Sequence, residues 1–169
     1  RIDNLYNNLA LLYSDTQRFK DSEDMHKAAI EIRERLVKEN PRAYEPDLSM
    51  SYCNLASLYG KIQRFDESEK MNKAAIEIQE RLAKENPKAH EHHLAMSYNN
   101  LANLYNKIQR FKESEKMFKA AIEIRERLAK ENPKANEPGL ADSYNNLAIL
   151  YYTIQRLEES EKMFKAAIE

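Results

Sequence analysis

Tyr98-Asn99-Asn100-Leu101-Ala102-Asn103-Leu104-Tyr105, followed by Phe111, Ser114, Phe118 and Ala121, is the stretch that decides the fold. It recurs as Tyr52-Cys53-Asn54-Leu55-Ala56-Ser57-Leu58-Tyr59, followed by Phe65, Ser68 and Ala75. Tyr6 and Tyr144 head two further copies. Pro41, Pro87 and Pro133 keep the same step of 46 residues. Blocks 52–97 and 98–143 are identical at 36 of 46 positions, so the register is unambiguous. A fixed period between 20 and 50 residues marks stacked repeats, in which each unit buries its apolar face on its neighbour. We read one repeat domain over 1–169, with units at about 1–51, 52–97 and 98–143 and a partial one at 144–169.

Each unit reads as two helices. Leu140, Tyr144, Leu147, Ala148, Tyr151 and Ile154 recur at helical steps and predict a first helix. Pro138 is expected in its first turn, where a missing N–H costs nothing. Ile108-Gln109-Arg110-Phe111 breaks the pattern in the preceding unit. A second helix follows there, with Met117, Ala121, Ile124 and Leu128 on one stripe and Phe118, Ile122 and Ala129 beside it. Two stripes predict burial on two sides. Asn132-Pro133 ends this helix, because proline disfavours helical geometry in the residue before it. Glu123 with Arg127 and Glu126 with Lys130 are expected as i,i+4 pairs on a solvated face.

Composition narrows the function. Charged residues make up 33% of the 169, hydrophobic residues 42%, and the mean hydropathy is −0.82, as for amphipathic helices with wide charged faces. Gly60 and Gly139 are the only glycines, which excludes a glycine-rich phosphate loop or a GxGxxG turn. A net charge of −1 gives no electrostatic case for nucleic acid. No apolar run reaches the roughly 18 residues that suggest a membrane span, and no signal peptide is visible. Cys53 is the only cysteine, so no intrachain disulfide can form; a reducing, cytoplasmic setting is expected.

The quoted motifs resemble the tetratricopeptide repeat, with Tyr in the family's Trp slot, Ala in its small Gly slot and Ser in its usual Ala slot. The resemblance covers the whole chain. It implies an all-α, right-handed solenoid of antiparallel helix pairs. The period departs from the family's usual ~34 residues. The longer unit is similar to repeats of kinesin light chains and of many prokaryotic members, and predicts helices extended at a shared edge. The large aromatic of the second helix, Phe118 and Phe164, is replaced by His26 and Asn72, so early contacts should be less apolar. The function implied is a protein-interaction scaffold, not an enzyme, with no cofactor. A structural spacer, a self-assembling array or a regulatory region of a larger protein are the rivals.

Catalysis finds no candidate. The acidic residues recur with the period on a charged face, and nothing singles out a carboxylate with a raised pKa. Ser22, Ser68, Ser114 and Ser160 read as packing residues. His90-Glu91-His92-His93 reads as a variable helix start and not as a metal site, since adjacent helical residues diverge. Asn8, Asn54, Asn100 and Asn146 precede the Leu-Ala pair in every unit, although asparagine is poor in a helix interior. Either duplication copied them, or each bonds its neighbouring unit, or the row lines the concave groove and holds the main chain of an extended peptide, as the resemblance implies. On the second reading, four units would meet about ten to twelve ligand residues. Asn99 and Asn103 join the same face, and Lys61 and Lys107 tilt it toward an acidic ligand. Phe164 and Ile168 in the last unit have no following unit to cover them, so contacts between chain ends are expected.

Overall fold

A computed structural model describes residues 1–168. These residues form eight helices and no strand: α1 (Ile2–Asp15), α2 (Phe19–Glu39), α3 (Pro41–Lys61), α4 (Phe65–Glu85), α5 (Pro87–Lys107), α6 (Phe111–Glu131), α7 (Pro133–Thr153) and α8 (Leu157–Ile168). The all-α architecture of paired helices is the one the sequence predicts. Two compact units, Arg1–Leu82 and Ala83–Glu169, are described separately below.

The long unit is explained by its helix ends. Six of the eight helices, α2 to α7, have 21 residues, and a single asparagine separates each second helix from the next first one. Asn40, Asn86 and Asn132 cap α3, α5 and α7 by accepting the N–H of Ala43, Ala89 and Ala135 at 3.3–3.4 Å. A proline follows each cap, at the position where its missing N–H is an orphan anyway. This cap corrects the expectation for Pro138. The helix starts at Pro133, and Pro138, like Pro46 in α3, lies inside it. Each interior proline forfeits one ladder bond near the helix start.

The turn within each pair is equally regular. Arg18, Arg64, Arg110 and Arg156 each donate their N–H to the carbonyl of the tyrosine five residues back, at 2.8 Å. Gln17, Gln63, Gln109 and Gln155 sit before them in the left-handed region, at φ 61–63°. This is a Schellman closure with a side chain where glycine is usual. Gln63→Gly is expected to raise stability by about 1 kcal/mol, since it removes the Cβ clash of that conformation. An upward shift of the urea midpoint at unchanged slope is the readout.

Serine locks the two helices of a pair together. Ser22 donates its hydroxyl to the Ala10 carbonyl at 2.7 Å. Ser68, Ser114 and Ser160 do the same to Ala56, Ala102 and Ala148 at 2.8 Å. These hydroxyls are buried and engaged, which agrees with the packing role read from the sequence. In the first unit the core gathers Ile30, Leu48, Leu55, Leu58 and Tyr59. In the second it gathers Phe118, Ile122, Leu147, Leu150 and Tyr151, where α7 covers the double stripe of α6. His26 and Asn72 are buried in the slot of Phe118, so the first unit is indeed less apolar there.

The expected i,i+4 pairs give way to contacts between helices. Arg127 holds Glu91 of α5 at 2.5 Å, and Glu126 accepts the Tyr144 hydroxyl of α7. Long side chains at the edge of a helix pair reach the neighbouring helix, so their partners are tertiary.

Candidate functional site

In the first unit α1 and α3 lie side by side, and their polar faces touch. The half-buried Asn54 donates Nδ2 to Oδ1 of Asn7 at 3.0 Å. Asn8 is exposed on α1. Lys61 is exposed at the end of α3 and donates Nζ to the Ser14 carbonyl at 3.1 Å and to its hydroxyl at 3.4 Å. The same ammonium lies 5.4 Å from the centre of the Phe19 ring. So at Asn54 the row bonds across neighbouring first helices.

The second unit arranges the same residue types differently. Asn100 and Asn103 are exposed on one face of α5, and the exposed Lys107 continues it a turn later. Leu101, Ala102, Leu104 and Tyr105 are buried on the other side of the same turns. The carboxamides of Asn100 and Asn103 make no hydrogen bond among the described residues. Each offers an acceptor and an NH2 donor, the complement of a peptide unit. Asn99 is half-buried, and its Oδ1 has neither solvent nor a partner. Asn146 of α7 is half-buried and does not reach that oxygen, although its spacing from Asn99 is that of Asn54 from Asn7. A cleft of about 850 Å³ in this unit is lined by Leu140, Tyr144 and Ile168 among others, and by none of these asparagines.

Sequence reasoning missed a second polar layer. Arg33 is 4% exposed in α2 and is held by Asp3 (2.9 Å), Asn4 (2.7 Å), the Asp47 carbonyl (2.8 Å) and Ser51 (2.5 Å). Arg1 and Arg33 hold the Asp3 carboxyl well below the usual carboxylate range. One period later, Gln79 donates to Ser49 at 3.4 Å while its Oε1 has no partner. Arg125 donates Nη1 to the Gly139 carbonyl and to Ser143 at 2.7 Å, with Nε unpaired. Ala95 stands where Asp3 stands for Arg33. Burial therefore pushes the Arg125 guanidinium down, opposed by the more distant Asp142. The signal was in the sequence: Phe118, Ile122, Arg125 and Ala129 follow steps of 4, 3 and 4, which puts a cation on an apolar stripe.

The histidine cluster opens α5. His90 is half-buried, His92 and His93 are exposed, and the last two rings meet edge-on at 5.8 Å. No group of three metal-binding side chains forms among the described residues.

The tetratricopeptide repeat family model matches residues 1–81, 47–127 and 93–169, which together span the chain. The chain belongs to the tetratricopeptide repeat family. No curated protein matches it. Among solved structures, the tetratricopeptide chain is similar to BtubC (BKLC) from P. vanneervenii, with TM-score 0.80, 23% identity and coverage of 98% of this chain and 61% of that one. RapI in its apo form gives TM-score 0.78 at 16% identity, covering 98% and 54%. A putative kinesin light chain from Podosopora anserina, described as having nearly identical repeats, gives 0.75 at 15%, covering 98% and 72%. The chain thus spans about six tenths of the first of these structures and about half of the second. At such identities the likeness concerns the helix-pair solenoid fold. Tetratricopeptide arrays are typically non-catalytic, and the repeat fold implies a scaffold for protein–protein interaction. No described helix is long and apolar enough to cross a membrane.

Proposed function

We propose that the exposed face of the first helices binds an extended peptide segment of a partner protein through its main chain. The open carboxamides of Asn100 and Asn103 carry this reading. Asparagine is unfavourable in a helix interior, and neither side chain repays that cost with an internal bond. Binding a peptide unit would do so. Within the second unit Asn146 extends the row and Asn99 lies beside it, and Asn8 holds the corresponding slot on α1 of the first unit. Lys61 and Lys107 favour an acidic segment. The half-buried thiol of Cys53 fits a reducing, cytoplasmic setting.

A structural role is favoured at one position. Asn54 is bonded to Asn7, so it serves the packing of α1 on α3. The two roles separate by mutation. Peptides of about twelve residues are selected from a random displayed library on the wild-type chain and then titrated against variants. Asn100→Ala with Asn103→Ala is expected to weaken the selected peptide at least tenfold and leave the melting temperature unchanged, because each lost pairing costs about 1–3 kcal/mol. Asn54→Ala is expected to lower the melting temperature. Unchanged peptide affinity in the Asn100, Asn103 double variant would sink the reading.

A further inference from the structure

Arg33 of α2 and Arg125 of α6 hold the same place two periods apart, and their surroundings differ along one edge of the guanidinium. In the first unit both edges of Arg33 are engaged. Nη1 donates to the Asp47 carbonyl and to Ser51 of α3. Nε and Nη2, on the other edge, donate to Asp3 at 2.9 Å and to Asn4 at 2.7 Å, both on α1. In the second unit Arg125 repeats only the first half. Its Nη1 donates to the Gly139 carbonyl and to Ser143 of α7, the slots of Asp47 and Ser51. The slots of Asp3 and Asn4 hold Ala95 and Met96 of α5, whose side chains offer neither charge nor an oxygen acceptor. Nε is buried without a partner, and Nη2 makes no hydrogen bond among the described residues.

Nothing else in the second unit answers that edge. Arg125 is 8% exposed, so solvent replaces little of what Asp3 and Asn4 supply to Arg33. Asp142 is exposed and acts on the guanidinium through space, without a hydrogen bond. Ala95 is fully buried and stops at its Cβ, while Met96 stands partly in solvent. Gly139 leaves one side of the guanidinium without a covering side chain, for a Cβ there would stand 3.6 Å from Cζ. A buried cation with an unpaired donor is unfavourable, and an anion set on that donor relieves it. The Nε and Nη2 donors lie in one plane as a fork, which matches the two oxygens of a carboxylate. The Cβ of Ala95 and one formate ion together make up the heavy atoms of an aspartate side chain.

We propose that the Nε–Nη2 edge of Arg125, between Ala95 of α5 and Gly139 of α7, binds a small carboxylate anion the size of formate. The anion does for the second unit what the Asp3 side chain does for the first. Fully buried Ala95 sets the size limit, so a carboxylate with a bulky substituent does not enter.

Thermal unfolding of the whole chain in sodium formate tests this, with sodium pivalate making up a constant total of about 200 mM carboxylate. Pivalate carries the same charge on a tert-butyl group. Formate at about four times its Kd is expected to raise the melting temperature by roughly 4–8 °C over pivalate alone. The Nε–H resonance of Arg125, assigned by its loss in Arg125→Met, is expected to move saturably over the same titration. Ala95→Asp supplies the carboxylate covalently, so that variant is expected to be more stable than wild type and indifferent to formate. Arg125→Met removes the fork and is expected to be equally indifferent. Equal melting of the wild-type chain in formate and pivalate overturns the proposal, as does a stationary Nε–H resonance. So does a formate response of the same size in Ala95→Asp, or an Ala95→Asp chain less stable than wild type, since the slot would then have no room for a carboxylate.

Discussion

Asp3→Ala is expected to destabilise the first unit by about 3–5 kcal/mol, the cost of breaking a buried ion pair from one side. Asp3 is 1% exposed and its partner Arg33 is 4% exposed, so the stranded guanidinium would have no water to replace the carboxylate. The hydrogen bonds from Arg33 to Asn4, the Asp47 carbonyl and Ser51 would remain, but none supplies charge. For a unit of this size the loss lowers the melting temperature by roughly 15–30 °C. Adding Arg33→Met is expected to recover most of it, because an apolar replacement of both partners is often neutral. Acid should act in the same direction. The folded carboxyl titrates far below the unfolded one, so its contribution is intact above about pH 4 and is lost as pH falls below that value. The reciprocal change is Ala95→Asp, which places a carboxylate beside Arg125 in the second unit and is expected to stabilise it. Thermal unfolding followed by circular dichroism checks all three variants. A loss under about 1 kcal/mol for Asp3→Ala would show that Arg33 is not an isolated charge.

That layer also shows where a sequence of near-copies is legible and where it is not. The period and the helix ends at Asn-Pro could be read directly, because the chain states each of them several times. The helix pairs and the serine slots followed from the same repetition. Other features were harder. Pro138 suggested a helix start, yet Asn132 and Pro133 had already made one, and a proline near the first turns costs only one bond. Arg127 was expected to look along its own helix and instead reaches Glu91 across the pair. No periodic pattern distinguishes those two choices.

The asparagine row makes the same point about function. Four copies in register invite one explanation, and their surroundings differ. Asn54 meets the oxygen of Asn7, whereas Asn146 leaves the oxygen of Asn99 unpaired at the same spacing. Asn100 and Asn103 stand open on α5. A residue's partner depends on where the neighbouring helix places its side chains, and duplication copies identity more faithfully than it copies neighbours. The Arg33, Gln79 and Arg125 series carries this further: the donor is kept or softened while the acceptor drifts from Asp3 to Ser49 to Ala95.

His26 supplies a pH dependence separate from that of the carboxylates. It fills the slot that Phe118 fills in the second unit, is 1% exposed, and its Nδ1 has no partner. Burial pushes its imidazole down to about 4. The folded state therefore holds the neutral ring, while the unfolded chain takes up a proton near the ordinary 6.5. Below that value the unfolded state binds more protons, so stability falls as pH drops from 6.5 toward 4 and then levels off. At about 1.4 kcal/mol per pH unit, this residue alone is expected to remove about 2 kcal/mol between pH 7 and pH 5. Asp3 remains ionised throughout that interval, so its loss begins only at lower pH. His26→Phe is expected to abolish the pH 7 to pH 5 difference. It should also raise stability at pH 7, because it removes the unpaired nitrogen and the equivalent slot already accepts a fully buried phenylalanine. Urea midpoints of the two proteins at both pH values decide the matter. Equal pH 7 to pH 5 shifts in wild type and variant would mean that the folded chain protonates His26 as readily as the unfolded one does, and the slot would then be open to water.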